Sequence, residues 1–377
     1  MKKLHPTTNK NQQPTKMGKA AIIGAGVSGL SMANYLEKNK IDYHLYERRN
    51  PNDLKGHGFI LPKEGIEFLS EIIDIDELYT KGSFLKKYIH YNRSGEIISE
   101  KDLDNVFVVS RSALIEILAK GVPADKISYN STVRLDGFTN GKAEITIDYS
   151  ERLEAEMVIA SDGSRSRIRR TIFQEESMKA VLENEVVNII ENEALAGEIE
   201  SNFLKFHHED GGLTFGVLKL SSSKILWYCQ FDITRYFINE DYTPDCIRQF
   251  MLDNFGTWNP LISSIIEGSG YENAHIWRVY ELEKLNPFHH QNVVFIGDAA
   301  HPLIPFTSQG VTSALKDSFT LTKLLTEGNP LQETFQKYEE ERRPEIDIHI
   351  ANGRALLEQF LLPLHEQPKN TLPISYK

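Results

Sequence analysis

The sequence predicts an α/β fold in which an inserted, mostly antiparallel β-sheet interrupts an α/β unit that later resumes and ends in helices. Three observations carry this. A short apolar run, residues 20–23 after Lys19, stops at Gly24 and passes through Gly26 and Gly29 into a helix-forming run at 30–38. From Val186 to Phe237 the pattern shifts to alternation with aromatics, as in Leu226-Trp227-Tyr228-Cys229-Gln230-Phe231, the period of a sheet with one covered face. Residues 292–298 then return to a buried-strand pattern.

In chain order, residues 1–16 are rich in Lys, Asn, Gln, Thr and Pro, and read as a loose tail. A second strand at 42–46 ends in Glu47, and Arg48-Arg49-Asn50-Pro51-Asn52 is a polar turn. Gly56-His57-Gly58 loosens the turn into a short strand, and 65–73 is helical. A hairpin is expected around Asn92-Arg93-Ser94-Gly95, then a strand at 106–109 and an amphipathic helix capped by Ser110 or Ser112. Short strands between 127 and 147 break at Gly137 and Asn140-Gly141, and Val158-Ile159-Ala160 is a buried strand. Helices follow at 246–255, 311–327 and 331–362, with Pro344 expected to kink or split the last.

Bulk properties narrow the function classes. A chain of 377 residues can hold one large domain or two intimate ones. Its net charge of −11 argues against a non-specific grip on nucleic acid. Cys229 and Cys246 are too few for a disulfide framework and lack metal-ligand spacing, so a reducing compartment, the cytoplasm, and no metal are expected. No stretch is apolar for long enough to cross a bilayer, so stable membrane insertion is not expected.

The glycine stretch is the strongest local signal. In Gly24-Ala25-Gly26-Val27-Ser28-Gly29, the first glycine permits the tight turn. Gly26 lets a pyrophosphate approach the backbone, and Gly29 lets helix and strand pack closely. Free N–H groups at the helix start favour an anion, and Glu47 stands where it can accept from a ribose hydroxyl. The pattern predicts a dinucleotide site; the competing reading is an ordinary strand–helix turn.

Three separated motifs, taken together, resemble the para-hydroxybenzoate-hydroxylase-like (class A) flavoprotein monooxygenases. They are the glycine stretch with Glu47; Asp162-Gly163 with Ser166 and Arg169; and Gly297-Asp298-Ala299-Ala300-His301 with Pro305, Gly310 and Asp317. Tyr338-Glu339-Glu340-Glu341-Arg342-Arg343-Pro344 is similar to that family's C-terminal helix. The resemblance implies a Rossmann-like FAD-binding domain at 17–80, 106–175 and 286–365, a β-rich substrate domain at 81–105 and 176–285, and a second tail at 366–377. It implies that Asp298 accepts from ribityl hydroxyls, and that the segment Pro305, Gly310, Val311 and Thr312 leads into a helix start that bonds the flavin pyrimidine carbonyl. It also implies that Arg111 reaches toward FAD, that Asp162 helps hold it, that Arg48 and Arg49 flank the adenine ribose, and that Gly56 and Gly58 pass close to the flavin edge. For Arg111 the competing reading is a surface ion pair, for Asp162 a helix cap, for the glycines a plain turn, and for the two arginines solvation. His301 reads as structural or flavin-adjacent. Ser308 and Gln309 stand where the family often has a glycine, and Thr312 where asparagine is usual, departures that bear on flavin movement.

The activity so implied is hydroxylation of an aromatic or polycyclic small molecule, with FAD reduced by NADPH or NADH and O2 used through a flavin C4a-hydroperoxide. A catalytic triad is not expected, because the chemistry is the cofactor's. His207, Phe215, Trp227, Tyr228 and Gln230 are the candidate substrate-facing residues, each weighed against plain core packing. A monomer or homodimer is expected. The alternatives are a halogenase or isoprenoid-type reductase on the same fold, or a flavin-binding redox sensor without turnover. The halogenase Trp-x-Trp-x-Ile-Pro pattern is missing, Trp277 being followed by Arg278-Val279.

Overall fold

The computed structural model describes residues 19–51, 53, 57–174, 178–238 and 241–368. The expected tail at 1–16 lies outside these residues, as do Gly56 and all of the expected tail at 366–377 beyond Pro368. Within the part of that tail described, Gln367 is buried and donates to the carbonyl of Leu362, so the chain is anchored that far.

The strand Ala20–Ile23 lies at the centre of a six-stranded sheet. It pairs in parallel with Tyr43–Tyr46 on one side and Met157–Ala160 on the other. Val293–Phe295 extends the sheet in parallel beyond Met157–Ala160. Strands buried on both faces read as continuous apolar runs, and Ala20, Ile22, Val158, Ile159, Val293 and Val294 have no exposed surface. The helices Val27–Lys38, Arg111–Lys120 and Gly310–Thr326 pack together over it. Small residues bring them close: Ser31 and Ser318 share a 2.9 Å hydrogen bond, and Asn34 Nδ2 reaches the carbonyl of Leu118 at 2.8 Å. Ser110 is the cap of Arg111–Lys120, accepting from the N–H of Ala113.

The inserted region forms an eight-stranded sheet whose outer members are His275–Leu282 and Gly58–Leu61. All its pairings are antiparallel except that of Asn202–His207 with Gly82–Asn92. One face carries Trp227, Phe215, Phe231 and Val217 and is covered by the helices Glu193–Ile199, Pro244–Phe255 and Pro260–Glu267. The other face looks toward the nucleotide sheet. The strand Ile97–Ser110 runs unbroken through the division expected at 105/106, and Gly58–Leu61 pairs with it. The hairpin and the strand at 106–109 are therefore one element.

The last helix, Leu331–Leu361, is continuous through Pro344 and does not split. Arg342 and Glu345, on either side of the proline, are tied by ion pairs to Asp317 and Lys316 of the neighbouring helix, so tertiary contacts override the lost backbone donor. Its end packs Phe360 against Ile304 and Phe306. Among the described residues, no helix is long and apolar enough to cross a membrane.

Candidate functional site

Two cavities meet at the C-terminal edge of the nucleotide sheet, one along that edge and one between it and the large sheet. The smaller, of about 190 Å³, is lined by Gly24, Glu47, Arg48, Arg49, Asp162 and Arg167 among others. The larger, of about 330 Å³, runs from Ser28 and Asp298 to Tyr228, Gln230 and Lys205 on the large sheet. Gly26, Arg111, Ser161 and Gly163 line both. The parallel strands Ala20–Ile23, Met157–Ala160 and Val293–Phe295 all deliver their C-terminal ends here, where open α/β sheets bind ligands.

At the smaller cavity the glycine loop is built as its spacing requires. Gly24 has φ +102°, and a Cβ there would lie 2.6 Å from the Ser161 carbonyl oxygen. A Cβ on Gly29 would lie 1.8 Å from the Gly24 carbonyl oxygen, so close packing of strand on helix excludes any other residue. Gly26 differs: nothing stands within 4 Å of where its Cβ would be. Val27–Lys38 also has no side-chain cap, which leaves first-turn N–H groups directed at the cavity. Glu47 Oε2 accepts from the N–H of Ala25 at 2.7 Å and Oε1 from that of Arg49 at 2.8 Å, so the carboxylate is held against the loop by both oxygens. Asp162 Oδ2 accepts from the N–H of Arg167 at 2.7 Å, the capping role, while its buried Oδ1 has no partner among the described residues. Burial pushes this carboxyl up, against the pull of the Ser166 hydroxyl and the backbone donors.

At the larger cavity, Gly297 has φ +56°, and its N–H donates to Asp317 Oδ2 at 2.7 Å. The same oxygen is 2.7 Å from His301 Nε2, and Asp317 Oδ1 accepts from Arg342 Nε at 2.8 Å. Burial pushes the Asp317 carboxyl up, but His301 and Arg342 outweigh it and hold it below the usual carboxylate range. This buried knot fixes the 297–301 turn and so aims Asp298 at the cavity. Asp298 is pushed up by burial, an effect that His301 and Arg169 oppose. Pro305, Gly310 and Val311 line the cavity. Gly310 has open space where a Cβ would be, and Gly310–Thr326 also starts without a side-chain cap. Thr312 does not line the cavity; its buried side chain lies against Gly65. Ser308 adopts φ +53°, a conformation that glycine holds without strain. Gly58 lines the cavity where a Cβ would lie 2.5 Å from the Leu226 side chain.

Of the candidate substrate-facing residues, Tyr228 and Gln230 line the cavity, and His207, Phe215 and Trp227 do not. Strand alternation decides this. Tyr228 and Gln230 share one face of Lys224–Asp232, so Trp227 must point to the other. There it stacks on Phe215, with centroids 5.7 Å apart, and donates to Ser269. His207 is on the cavity side but packs against His90, 4.3 Å between ring centroids.

Sequence reading missed Lys205 and Glu185, both buried and both lining the cavity. The sequence shows a lysine between Leu204 and Phe206, and glutamates at 183 and 185 within a strand pattern. Cross-strand pairing sets Glu185 opposite Gln230 and Gln230 opposite Thr214. Gln230 then donates to Glu185 Oε1 and accepts from Lys205 Nζ, both at 2.8 Å. His57 was also missed; it lines the cavity, its ring 4.4 Å from that of Trp277. Burial, with Arg111 nearby, pushes His57 down to about 3, so it is neutral.

The residues fit an extended dinucleotide. Three glycines (Gly26, Gly163 and Gly310) border open space, two uncapped helix starts face it, and an orphaned carboxylate oxygen waits at Asp162. The family model described as "FAD binding domain" matches residues 17–350. The chain therefore belongs to this FAD-binding family, and with it to the class A flavoprotein monooxygenases that its motifs resemble. It is similar to 2-heptyl-3-hydroxy-4(1H)-quinolone synthase of Pseudomonas aeruginosa, at 25% identity covering 87% of this chain and 85% of the relative. It is also similar to the FAD-dependent urate hydroxylase of Klebsiella pneumoniae, at 24% identity covering 89% and 88%. Among solved structures, Klebsiella pneumoniae HpxO complexed with FAD and uric acid superposes with a TM-score of 0.81, 19% identity and coverage of 91% and 88%. The tetracycline destructase Tet(51) superposes with a TM-score of 0.73, 18% identity and 92% coverage of both chains.

Proposed function

We propose that this protein hydroxylates an aromatic small molecule with O2, using FAD reduced by NADPH or NADH. The observation that carries the reading is the junction of the two cavities at Gly26, Arg111, Ser161 and Gly163, which joins a nucleotide-shaped groove to an apolar chamber walled by the large sheet. Names of relatives point the same way, to a quinolone, urate and, in a Bordetella bronchiseptica protein, 6-hydroxynicotinate.

In this reading, first-turn N–H groups of Val27–Lys38 hold the pyrophosphate, Glu47 accepts from the adenosine ribose, and Arg48 and Arg49 flank it. Asp298 and the free oxygen of Asp162 accept from hydroxyls of the linker, and Arg111 lies beside the junction. The uncapped start of Gly310–Thr326 faces the ring system and stabilises negative charge there. Bound FAD would supply hydride acceptance and oxygen transfer, by the route that the family resemblance implies. The chain's own work is to bind, orient and keep water out: Phe59, Phe203, Leu226, Tyr228 and Phe306 wall the chamber. The flavin half of the molecule is proposed to comprise 17–80, 106–175 and 286–365, and the substrate half 81–105 and 176–285.

The test is a spectrum of the purified protein before and after adding FAD, followed by NAD(P)H oxidation and O2 uptake across a panel of hydroxylated aromatics. Uptake of FAD, and oxidation that accelerates with one panel member, is expected. Asp298→Ala should loosen FAD by about 1–3 kcal/mol. A protein that takes up no FAD would sink the reading.

A further inference from the structure

We propose that Lys205 is the specificity-determining residue of the larger cavity, and that it receives an anionic oxygen carried on the substrate ring, a phenolate or a carboxylate. This rests on the preceding reading that the substrate occupies that cavity. The residue is 4% exposed, on a strand whose flanking residues Leu204 and Phe206 point into the apolar core on the far face. An ammonium carries three donors and no acceptor. Among the described residues, the Lys205 ammonium makes one hydrogen bond, to Gln230 Oε1 at 2.8 Å. Its other near neighbours are ring faces, Tyr228 at 5.8 Å and Phe306 at 5.7 Å to the centroid. Two charged donors are thus buried toward a cavity without a protein acceptor, an arrangement that costs stability unless a ligand completes it.

The neighbouring strands offer no direct counter-charge. Gly216 stands opposite Lys205 in the antiparallel register, and a Cβ there would lie 2.2 Å from the Tyr228 ring, so the position contributes backbone alone. On the parallel neighbour the register partner is His90, driven neutral by burial and by Lys205 itself to about 4. His207, on the same strand, is likewise pushed far down. Glu185, pushed up to about 7 by burial, is linked to the ammonium through the neutral amide of Gln230. Glu183 is fully buried, makes no hydrogen bond to Lys205 among the described residues, and is pushed well up by burial and by the neighbouring Glu185. Burial draws Lys205 down to about 8 despite both glutamates, and an arriving anion would restore it. Phe203, Tyr228 and Phe306 leave a slot for a planar ring beside the ammonium.

The experiment titrates FAD-loaded protein with para-nitrophenol, para-nitrobenzoate and para-nitroanisole, which share a ring and differ in the charge on one substituent. The expected result is that at least one of the two anions binds about tenfold or more tightly than the anisole, about 1.4 kcal/mol. Preference for the phenol assigns a phenolate, and for the benzoate a carboxylate. Lys205→Met should abolish the preference with FAD content unchanged, and Lys205→Arg should retain most of it. Equal binding of all three probes, binding of none, or a preference that survives in Lys205→Met overturns the proposal. If Lys205→Met does not fold, the wild-type preference and its retention in Lys205→Arg decide. Flavin absorbance in the same titrations reports FAD occupancy, so failure of the functional reading is seen separately.

Discussion

Replacing Asp317 with alanine removes one carboxylate that serves three donors. Gly297 N–H, His301 Nε2 and Arg342 Nε lie 2.7, 2.7 and 2.8 Å from its oxygens, and the side chain has no exposed surface. Arg342 is 1% exposed and keeps only its contacts with Glu345 and the Ser313 carbonyl. Stranding a buried charge in this way costs about 3–5 kcal/mol, a large share of the roughly 5–15 kcal/mol that holds a domain together. With about 2.1 cal/mol/K of unfolding entropy per residue over 377 residues, that is a fall in melting temperature of about 4–6 °C. FAD should also be lost more readily, because the turn that aims Asp298 is no longer pinned. The pH dependence follows from the sign of the shift. The folded carboxyl titrates below its ordinary range, so its contribution is complete above about pH 4 and disappears as acid protonates the folded state. Wild type and Asp317→Ala should differ by a constant amount from neutral pH down to about 5 and converge below about 4. Paired thermal melts and FAD-retention measurements across that range provide the assay. Melting within about 1 °C of wild type at neutral pH, with FAD retained, would refute the assignment of this knot as the support of the site.

Two further pairs of variants separate space from packing. Gly26→Ala should leave the melting temperature of the flavin-free protein unchanged, because no atom lies within 4 Å of the new methyl, yet weaken FAD about tenfold or more. Gly29→Ala should do the reverse first, destabilising the apoprotein by about 1–3 kcal/mol through its clash with the Gly24 carbonyl; equal melting of the two would count against the loop geometry. Trp227→Phe should lower stability by about 1–2 kcal/mol through the lost Ser269 hydrogen bond and leave KM for substrate unchanged. Tyr228→Ala, on the opposite face, should raise KM; if steady-state kinetics show the tryptophan variant moving KM more, the face assignment fails.

The nucleotide half was legible because its requirements show in a short run of residue types. Gly24 and Gly29 are dictated by contacts with Ser161 and with the loop itself, and Glu47 follows its strand by one residue. The link between Asp317 and Gly297 spans twenty residues and Arg342 lies further still, yet all three sat in motifs whose resemblance flagged them before any distance was known. The substrate half was harder. Alternation in residues 226–231 identifies two faces but not which one is covered, because Trp227 and Tyr228 suit either. The helices that bury Trp227 come from 193–199, 244–255 and 260–267, whose docking is a tertiary fact. Lys205 and Glu185 carry no signal of their own in the sequence, because a charged residue in a strand normally marks the solvent side. Only the assembled sheet reveals that this side faces a cavity. Pro344 stands for the opposite case, a strong local rule overruled by ion pairs on both sides of it.

Glu47 carries one more consequence. Its two oxygens are fastened to the backbone of Ala25 and Arg49, so the carboxylate cannot swing aside. A bare sugar edge meets a ready acceptor there, whereas a 2′-phosphorylated one would push its own negative charge against a fixed like charge. Under the proposed function, this fixed acceptor favours an adenosine whose ribose carries no 2′-phosphate.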